Sequence, residues 1–418
     1  MSGGGETMWW THLSQKDGRR LLVTLSCLGA ANAAEAVEVL SAGYILGGLD
    51  GAWRAGISSG VYCGMLLGGL LSGYVADKSR RRAASLQRAM IVAFAGASLA
   101  AFSPSPAMLL VCRVVAGAGV GAATPPLFAL AAEVSPSAIR GACITYVAAW
   151  WMVGSIFAAG LAKIVLVSTT KLSVDFDLEP SRWRLYALAC AAPALLAAVA
   201  CALNVRDSPT PVETSLLGTP RSDPEPRRHT FFGRRKLAAL GVAYWGLNFG
   251  YYGLATWISV VLARVGVKDV YGTALLYAAA NVPGNIVAFA VVDAVGRKPL
   301  LAASMGLATL SALSLAFELE SDPSLVFTVV AAMCFNASAT AGWASLDALS
   351  AESFSALERA TALGILTAVG RVASIAAQFV NGSLASRPPV LLTVTAFFML
   401  GGTLSTVGLK ELKNVDID

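Results

Sequence analysis

Charge is scarce in this chain. Only 13% of its 418 residues are charged and 56% are hydrophobic, where a soluble domain carries about 25% charged residues. Mean hydropathy is +0.66. Apolar runs recur almost end to end, which excludes both a soluble domain and a domain tethered by a single anchor. Histidine is nearly absent: His12 and His229 sit far apart in polar segments. No histidine metal centre is expected, and proton transfer at depth falls to carboxylates. The seven cysteines (27, 63, 112, 143, 190, 201 and 334) all lie in apolar stretches without close paired spacing, so they read as small buried side chains rather than metal ligands. No metal and no cofactor is expected. The first 20 residues lack the charged start and cleavage pattern of a signal peptide, so the first apolar stretch reads as a retained helix. The net charge of +6 does not call for a nucleic-acid partner, because the basic residues gather in short connections between apolar runs, where membrane topology accounts for them.

What is present is a series of about twelve apolar runs, each near the roughly 20 residues that cross a bilayer as a helix. They cover 21–47, 55–76, 87–102, 108–132, 142–167 and 185–205, then 237–263, 273–292, 300–317, 325–349, 361–384 and 390–409. The fold class is therefore an all-α membrane protein. Residues 206–236, rich in proline, serine and charge, read as a linker between an N-terminal bundle at 21–205 and a C-terminal bundle at 237–409. Residues 1–20 and 410–418 are tails. With both termini in the cytoplasm, most of the 31 lysines and arginines fall on the cytoplasmic side, as the positive-inside rule requires. The holding membrane is either the plasma membrane or an intracellular vesicle membrane.

The first run is unusual. It carries Glu35 and Glu38 near its middle, and this spacing puts both carboxylates on one face of a helix. A charge at membrane depth costs about 2.5–3.5 kcal/mol on insertion scales, so it faces a cavity or a partner. Arg113 in the fourth run needs a counter-charge for the same reason, and one of the two glutamates is the available candidate.

The two halves repeat. Asp77 and the following basic residues at 78 and 80–82 recur as Asp293 with Arg297 and Lys298. Glu133 with Arg140 recurs as Glu352 with Arg359, at nearly the same offset of a little over half the chain. Internal repeats of this kind build secondary transporters, with the substrate site near the midplane between the halves.

These residues carry a resemblance. The stretch from Gly73 through Asp77, Lys78, Arg80, Arg81 and Arg82 resembles the loop motif of the major facilitators between their second and third helices, with Arg80 where the motif has a second glycine. Arg113 followed by Gly117, Gly119 and Gly121 resembles the family's fourth-helix signature. The fragments around Glu35–Val39, Trp150–Gly154, Phe249–Trp257 and Glu352–Gly364 are similar to the branch of synaptic-vesicle-glycoprotein relatives, nicotinate permeases and organic ion transporters. The resemblance implies two six-helix bundles, alternating access, and a gating role for Gly73, Asp77, Arg81, Arg82, Glu133, Arg140, Asp293, Arg297, Glu352 and Arg359. The sugar-porter sequences after the sixth helix and in the seventh are missing, which disfavours a sugar.

The substrate or proton site is expected among Glu35, Glu38, Arg113, Tyr251, Trp257, Asn281, Asn285 and Arg371. Tyrosine and tryptophan suit a cavity wall or helix packing equally. Tyr251 and Tyr252 point in different directions on a helix, so one of them is expected to face the centre. Asn281 and Asn285 flank Pro283, which kinks the eighth run; they serve either the cavity or helix–helix bonding. Arg371 either pairs with Asp347 or Glu352 or takes an anionic group of the substrate. Two neighbouring carboxylates cannot both ionise cheaply, so one of Glu35 and Glu38 is expected to hold a proton near neutrality; if Arg113 neutralises one of them, facilitated diffusion is the other possibility. The expected function is secondary-active transport of a small organic ion, a carboxylate, cation or zwitterion, by a monomeric carrier with proton coupling, and no enzymatic constellation is present. The competing reading is a non-transporting receptor or trafficking relative with the same fold.

Overall fold

The computed structural model describes residues 16–49, 51–76, 81–136, 139–166, 180–206, 231–320, 324–354 and 356–411. The described residues form helices: α1 (Lys16–Ile45), α2 (Gly51–Ala76), α3 (Arg82–Ala101), α4 (Pro106–Val134), α5 (Arg140–Val165), α6 (Pro180–Asn204), α7 (Phe231–Arg264), α8 (Val270–Ala279), α9 (Asn281–Val295), α10 (Arg297–Glu320), α11 (Leu325–Glu352), α12 (Ala356–Leu384) and α13 (Pro388–Ser405). Local sequence sets several of these limits. Pro106 opens α4 behind Ser105, whose hydroxyl accepts the Met108 amide at 3.3 Å, a proline-first, serine-capped start. Asp269 caps α8 by accepting the Gly272 amide at 2.9 Å. Helix α8 stops at Ala279, the residue whose carbonyl the ring of Pro283 cannot serve, and the chain resumes as α9. Together α8 and α9 make the eighth span.

Eleven stretches among the described residues are long and apolar enough to cross a membrane. The remaining span of the expected twelve is α7. It is 34 residues long and carries Arg234, Arg235 and Lys236 near its start and Asn248 and three tyrosines (244, 251 and 252) in its middle, which dilute its apolar character. Several helices start earlier than the sequence reading, and two of these starts cross its domain boundaries. The first helix begins at Lys16, inside the expected tail, and α7 begins at Phe231, inside the expected linker; long basic side chains at a helix end reach the interface while their stems stay apolar. The rest of the linker, 207–230, lies outside the described residues.

Helices α1–α6 pack chiefly on one another, as do α7–α13, giving two pseudo-symmetric bundles that meet through α1 against α7, α2 against α12, and α5 against α8. The α2–α4 contact shows why glycines follow Arg113. A Cβ on Gly117 would land on the Val61 carbonyl, and one on Gly121 on the Met65 carbonyl. Backbones touch there, as small residues allow in membranes. Cysteines are largely interior, but Cys334 is exposed: lipid is as apolar as the core, so apolar surroundings in the sequence do not separate the two.

Gly117→Ala is therefore expected to cost about 1–3 kcal/mol through overpacking and to lower the melting temperature of the purified protein. Gly241→Ala, where an added Cβ meets nothing within 4 Å, should leave it unchanged or raise it slightly.

Candidate substrate and proton site

The two glutamates of α1 share a face but not a fate. Both are 3% exposed. Arg113 of α4 donates from Nη1 to Glu38 Oε1 at 2.5 Å and to Ser41 Oγ at 3.2 Å, and from Nη2 to the Glu38 carbonyl at 2.6 Å. Arg113 and Glu38 thus form a buried, hydrogen-bonded ion pair that ties α1 to α4. Glu35 lies one turn away without such a partner. Its Oε2 accepts the Thr124 hydroxyl at 3.2 Å, and its Oε1 is buried with no hydrogen bond.

Across the bundle interface stands a cluster of rings. Tyr252 packs at 5.5 Å from Tyr62, 6.0 Å from Trp151, 5.2 Å from Tyr251 and 5.8 Å from Trp343, measured between centroids. Tyr251 accepts the Trp151 indole N–H at 3.2 Å. Both tyrosines therefore enter the cluster, where one was expected to. The reason is that rings of both bundles close on this part of α7: Tyr251 and Tyr252 each meet Trp151 of α5 and Trp343 of α11. Trp150, the neighbour of Trp151, packs instead on Gly29.

Arg371 of α12 places its guanidinium carbon 5.6 Å from the Tyr252 ring centre, a cation–π contact. Neither expected acidic partner is bound to it: Glu352 pairs with Arg297, and Asp347 accepts the Tyr244 hydroxyl at 3.2 Å. Its Nη1 is buried without a hydrogen bond, as is Trp343 Nε1. Arg371 is close enough to Glu35 for the two charges to interact, and Tyr252 lies within reach of both. A buried carboxylate and a half-buried cation, one from each bundle, thus each keep a buried atom without a hydrogen bond.

The other expected site residues are held by bonds of their own, Asn281 beside Tyr251 of the ring cluster. Asn281 donates to Ser155 Oγ at 3.0 Å and accepts from Thr340 at 2.5 Å, while Asn285 bonds the Asn281 carbonyl at 2.9 Å. The Asn281 bonds are helix–helix bonds, to α5 and α11, whereas Asn285 bonds back one turn within α9 and reaches α5 only at Met152 Sδ, 4.0 Å away. Trp257 is fully buried and donates to Gln378 at 2.9 Å, in a small cluster with Leu46, Val260 and Ala385 rather than in the ring cluster. That places it where the bundles are held together, because Ser259 also donates to the Gly43 carbonyl at 2.6 Å and Tyr271 to the Tyr44 carbonyl at 3.2 Å. A Lys163–Asp269 ion pair closes the same end. The Lys163 ammonium, with the Gly272 amide, holds the Asp269 carboxyl below its ordinary range. This tie therefore persists at neutral pH and is lost only as pH falls through that lowered value.

A family model of the Major Facilitator Superfamily matches residues 21–378. The chain belongs to the major facilitator superfamily. It is 28% identical over 352 residues to the "Niacin transporter NiaP" of Acinetobacter baylyi, covering 76% of this chain and 75% of that protein. It is 24% identical to the "Putative niacin/nicotinamide transporter NiaP" of Bacillus subtilis, covering 88% of each. The human synaptic vesicle glycoprotein 2C is 31% identical over 180 residues, which cover 41% of this chain but only 25% of that protein. Among solved structures, the inward-open xylose transporter XylE superposes with a TM-score of 0.73 at 17% identity, covering 95% of this chain and 97% of that one. A bacterial homologue of the lysosomal transporter Spinster does so at 0.67 and 15%, covering 97% and 98%.

In this facilitator the expected gating charges gather at the end opposite the Lys163–Asp269 tie, where α1 begins. Arg82 pairs with Glu133 and, in the other bundle, Arg297 pairs with Glu352 at 3.2 Å. Each pair joins helices within one bundle. Arg140 starts α5 and is exposed, as is Arg81 just before α3. Asp77 and the side chains at Gly73, Asp293 and Arg359 lie outside the described residues. Thr124 and Tyr62 have no signature in the sequence, although a threonine directly before two prolines inside a span marks a polar group at a kink.

The unequal surroundings of the two glutamates give a direct expectation. Glu38→Ala strands the Arg113 charge and should cost about 3–5 kcal/mol, seen as a large fall in melting temperature in detergent. Glu35→Gln should fall by far less.

Proposed function

We propose that this transporter carries a small organic anion or zwitterion by alternating access, coupled to protons. Arg371 takes the carboxylate, the rings of Tyr251, Tyr252 and Trp343 hold the flat body of the substrate, and Glu35 takes the proton. The observation that carries this reading is that two charged groups, one from each bundle, keep buried atoms without a hydrogen bond: Glu35 Oε1 and Arg371 Nη1. Arg113 neutralises Glu38, the arrangement that the sequence reading linked to facilitated diffusion; proton coupling is proposed instead because Glu35 keeps no such partner and stays free to change charge. A buried charge without a partner is expensive, so the site favours a substrate anion arriving together with a proton. Such an occupant cancels both charges at once, and loading becomes the step that permits the bundles to rock. The two niacin transporters among the relatives fit this chemistry, since niacin is a carboxylate on a flat heteroaromatic ring that stacks on tyrosine and tryptophan faces.

The ties between the bundles lie in the middle and at the Lys163–Asp269 end. With the basic Arg82–Glu133 end in the cytoplasm, as the positive-inside rule favours, this conformer faces inward. Asp347, one turn from that end and exposed while bonded by buried Tyr244, lines the approach.

The test is uptake of radiolabelled nicotinate by purified protein in proteoliposomes. An imposed inward proton gradient should stimulate uptake. Arg371→Ala should lower it at least tenfold by losing a charge-assisted bond of about 1.5–3 kcal/mol. Glu35→Gln should abolish the gradient's effect while leaving nicotinate exchange across the membrane intact. Flux indifferent to the gradient removes proton coupling, and unchanged affinity in Arg371→Ala removes the anion anchor.

A further inference from the structure

Thr124 stands immediately before Pro125 and Pro126 in the middle of α4. Neither proline has a backbone N–H, so the carbonyls of Gly121 and Ala122 lose their helical donors. Ser72 of α2 supplies a donor to the Ala122 carbonyl at 2.9 Å. The Thr124 hydroxyl is shared: its Oγ1 lies 3.2 Å from Glu35 Oε2 and 3.1 Å from the Val120 carbonyl. A hydroxyl has one hydrogen, so it donates to one of the two at a time. Ionised Glu35 only accepts; protonated Glu35 can donate.

We propose that Thr124 is the positioning residue of the Glu35 carboxyl, and that its hydroxyl turns from Glu35 to the Val120 carbonyl when Glu35 gains a proton. In the ionised state Thr124 donates to Oε2. When a proton adds to that oxygen, the acid donates to Thr124 Oγ1 and the threonine hydrogen passes to the Val120 carbonyl. Threonine bonding to the carbonyl one turn back bends a helix, and here the bend falls beside two prolines. The part of α4 beyond Thr124, which carries Glu133 and its ion pair with Arg82, therefore changes direction with the charge on Glu35. The other groups facing Glu35 are Arg371 of α12 and Tyr252 of α7, and, on α1 itself, Glu38 already neutralised by Arg113 of α4. None of these touches α4 at its kink, so Thr124 is the group that joins the carboxyl to the helix. The inference rests on Glu35 being the proton-carrying residue.

Difference infrared spectroscopy on purified protein in lipid nanodiscs, titrated from mildly acid to mildly alkaline pH, tests it. One carboxylic-acid carbonyl band should be absent from Glu35→Gln, which assigns it. Thr124→Val and Thr124→Ala should move that band to higher frequency. They should also raise its titration midpoint by about one pH unit, the loss of a hydrogen bond to a charged acceptor. Thr124→Ser should restore both. A Glu35 band that titrates identically in wild type and the Val and Ala variants overturns the role of Thr124 alone. If no Glu35-dependent band titrates, the proton-carrying reading itself fails, and this inference with it.

Discussion

Arg113 spends three hydrogen bonds on one turn of α1, and the rest of the site depends on that choice. An arginine at membrane depth has to be neutralised and its donors met as far as geometry allows; here the two terminal nitrogens are bonded and Nε is not. Glu38 supplies a carboxylate and a carbonyl, and Ser41 a hydroxyl. The cost of burying both charges is met by geometry, and in return α1 is held in one rotation against α4. That rotation leaves Glu35 away from Arg113 and brings its carboxylate to Thr124. Were α1 turned so that Glu35 met Arg113, the carboxylate left over would be Glu38, one turn nearer the Lys163–Asp269 end and away from the ring cluster.

The ring cluster and the unpaired charges are two parts of one device. Tyr252 touches rings from α2, α5 and α11 and lies under the Arg371 guanidinium. Rings exclude water and lower the local dielectric, which raises the worth of every polar contact there. A charged group left open in such a place is costly alone and selective in the presence of its complement. The same logic explains the ends of the molecule. Bonds to main-chain carbonyls and an exposed ion pair join the bundles at one end. At the other, the repeated ion pairs keep each bundle rigid within itself. Rigid halves joined by a few discrete ties are what a rocking mechanism requires.

Relatives agree with the physical reading at the level each supports. The solved structures share the fold at low identity, and the niacin transporters share most of their length with this chain. The vesicle glycoproteins are matched over only a quarter of theirs.

Much of the architecture was legible in the order of residues. The apolar runs, the repeated acid–base pairs, the glycines after Arg113 and the two acids in the first run are properties of the chain as a line: spans are set by length and hydropathy, and a repeat needs no contacts to be visible. What the tertiary structure alone decided is lateral. It assigned Glu38 rather than Glu35 to Arg113, brought both Tyr251 and Tyr252 into one cluster, sent Trp257 and the two asparagines to helix contacts, and bonded Glu352 and Asp347 to groups other than Arg371. The physical reason is that lipid and protein core are equally apolar. A membrane helix can be apolar all round, so its sequence does not say which face meets lipid and which meets a neighbour. Only the packed neighbours fix its rotation, and with it the environment of every polar side chain it carries.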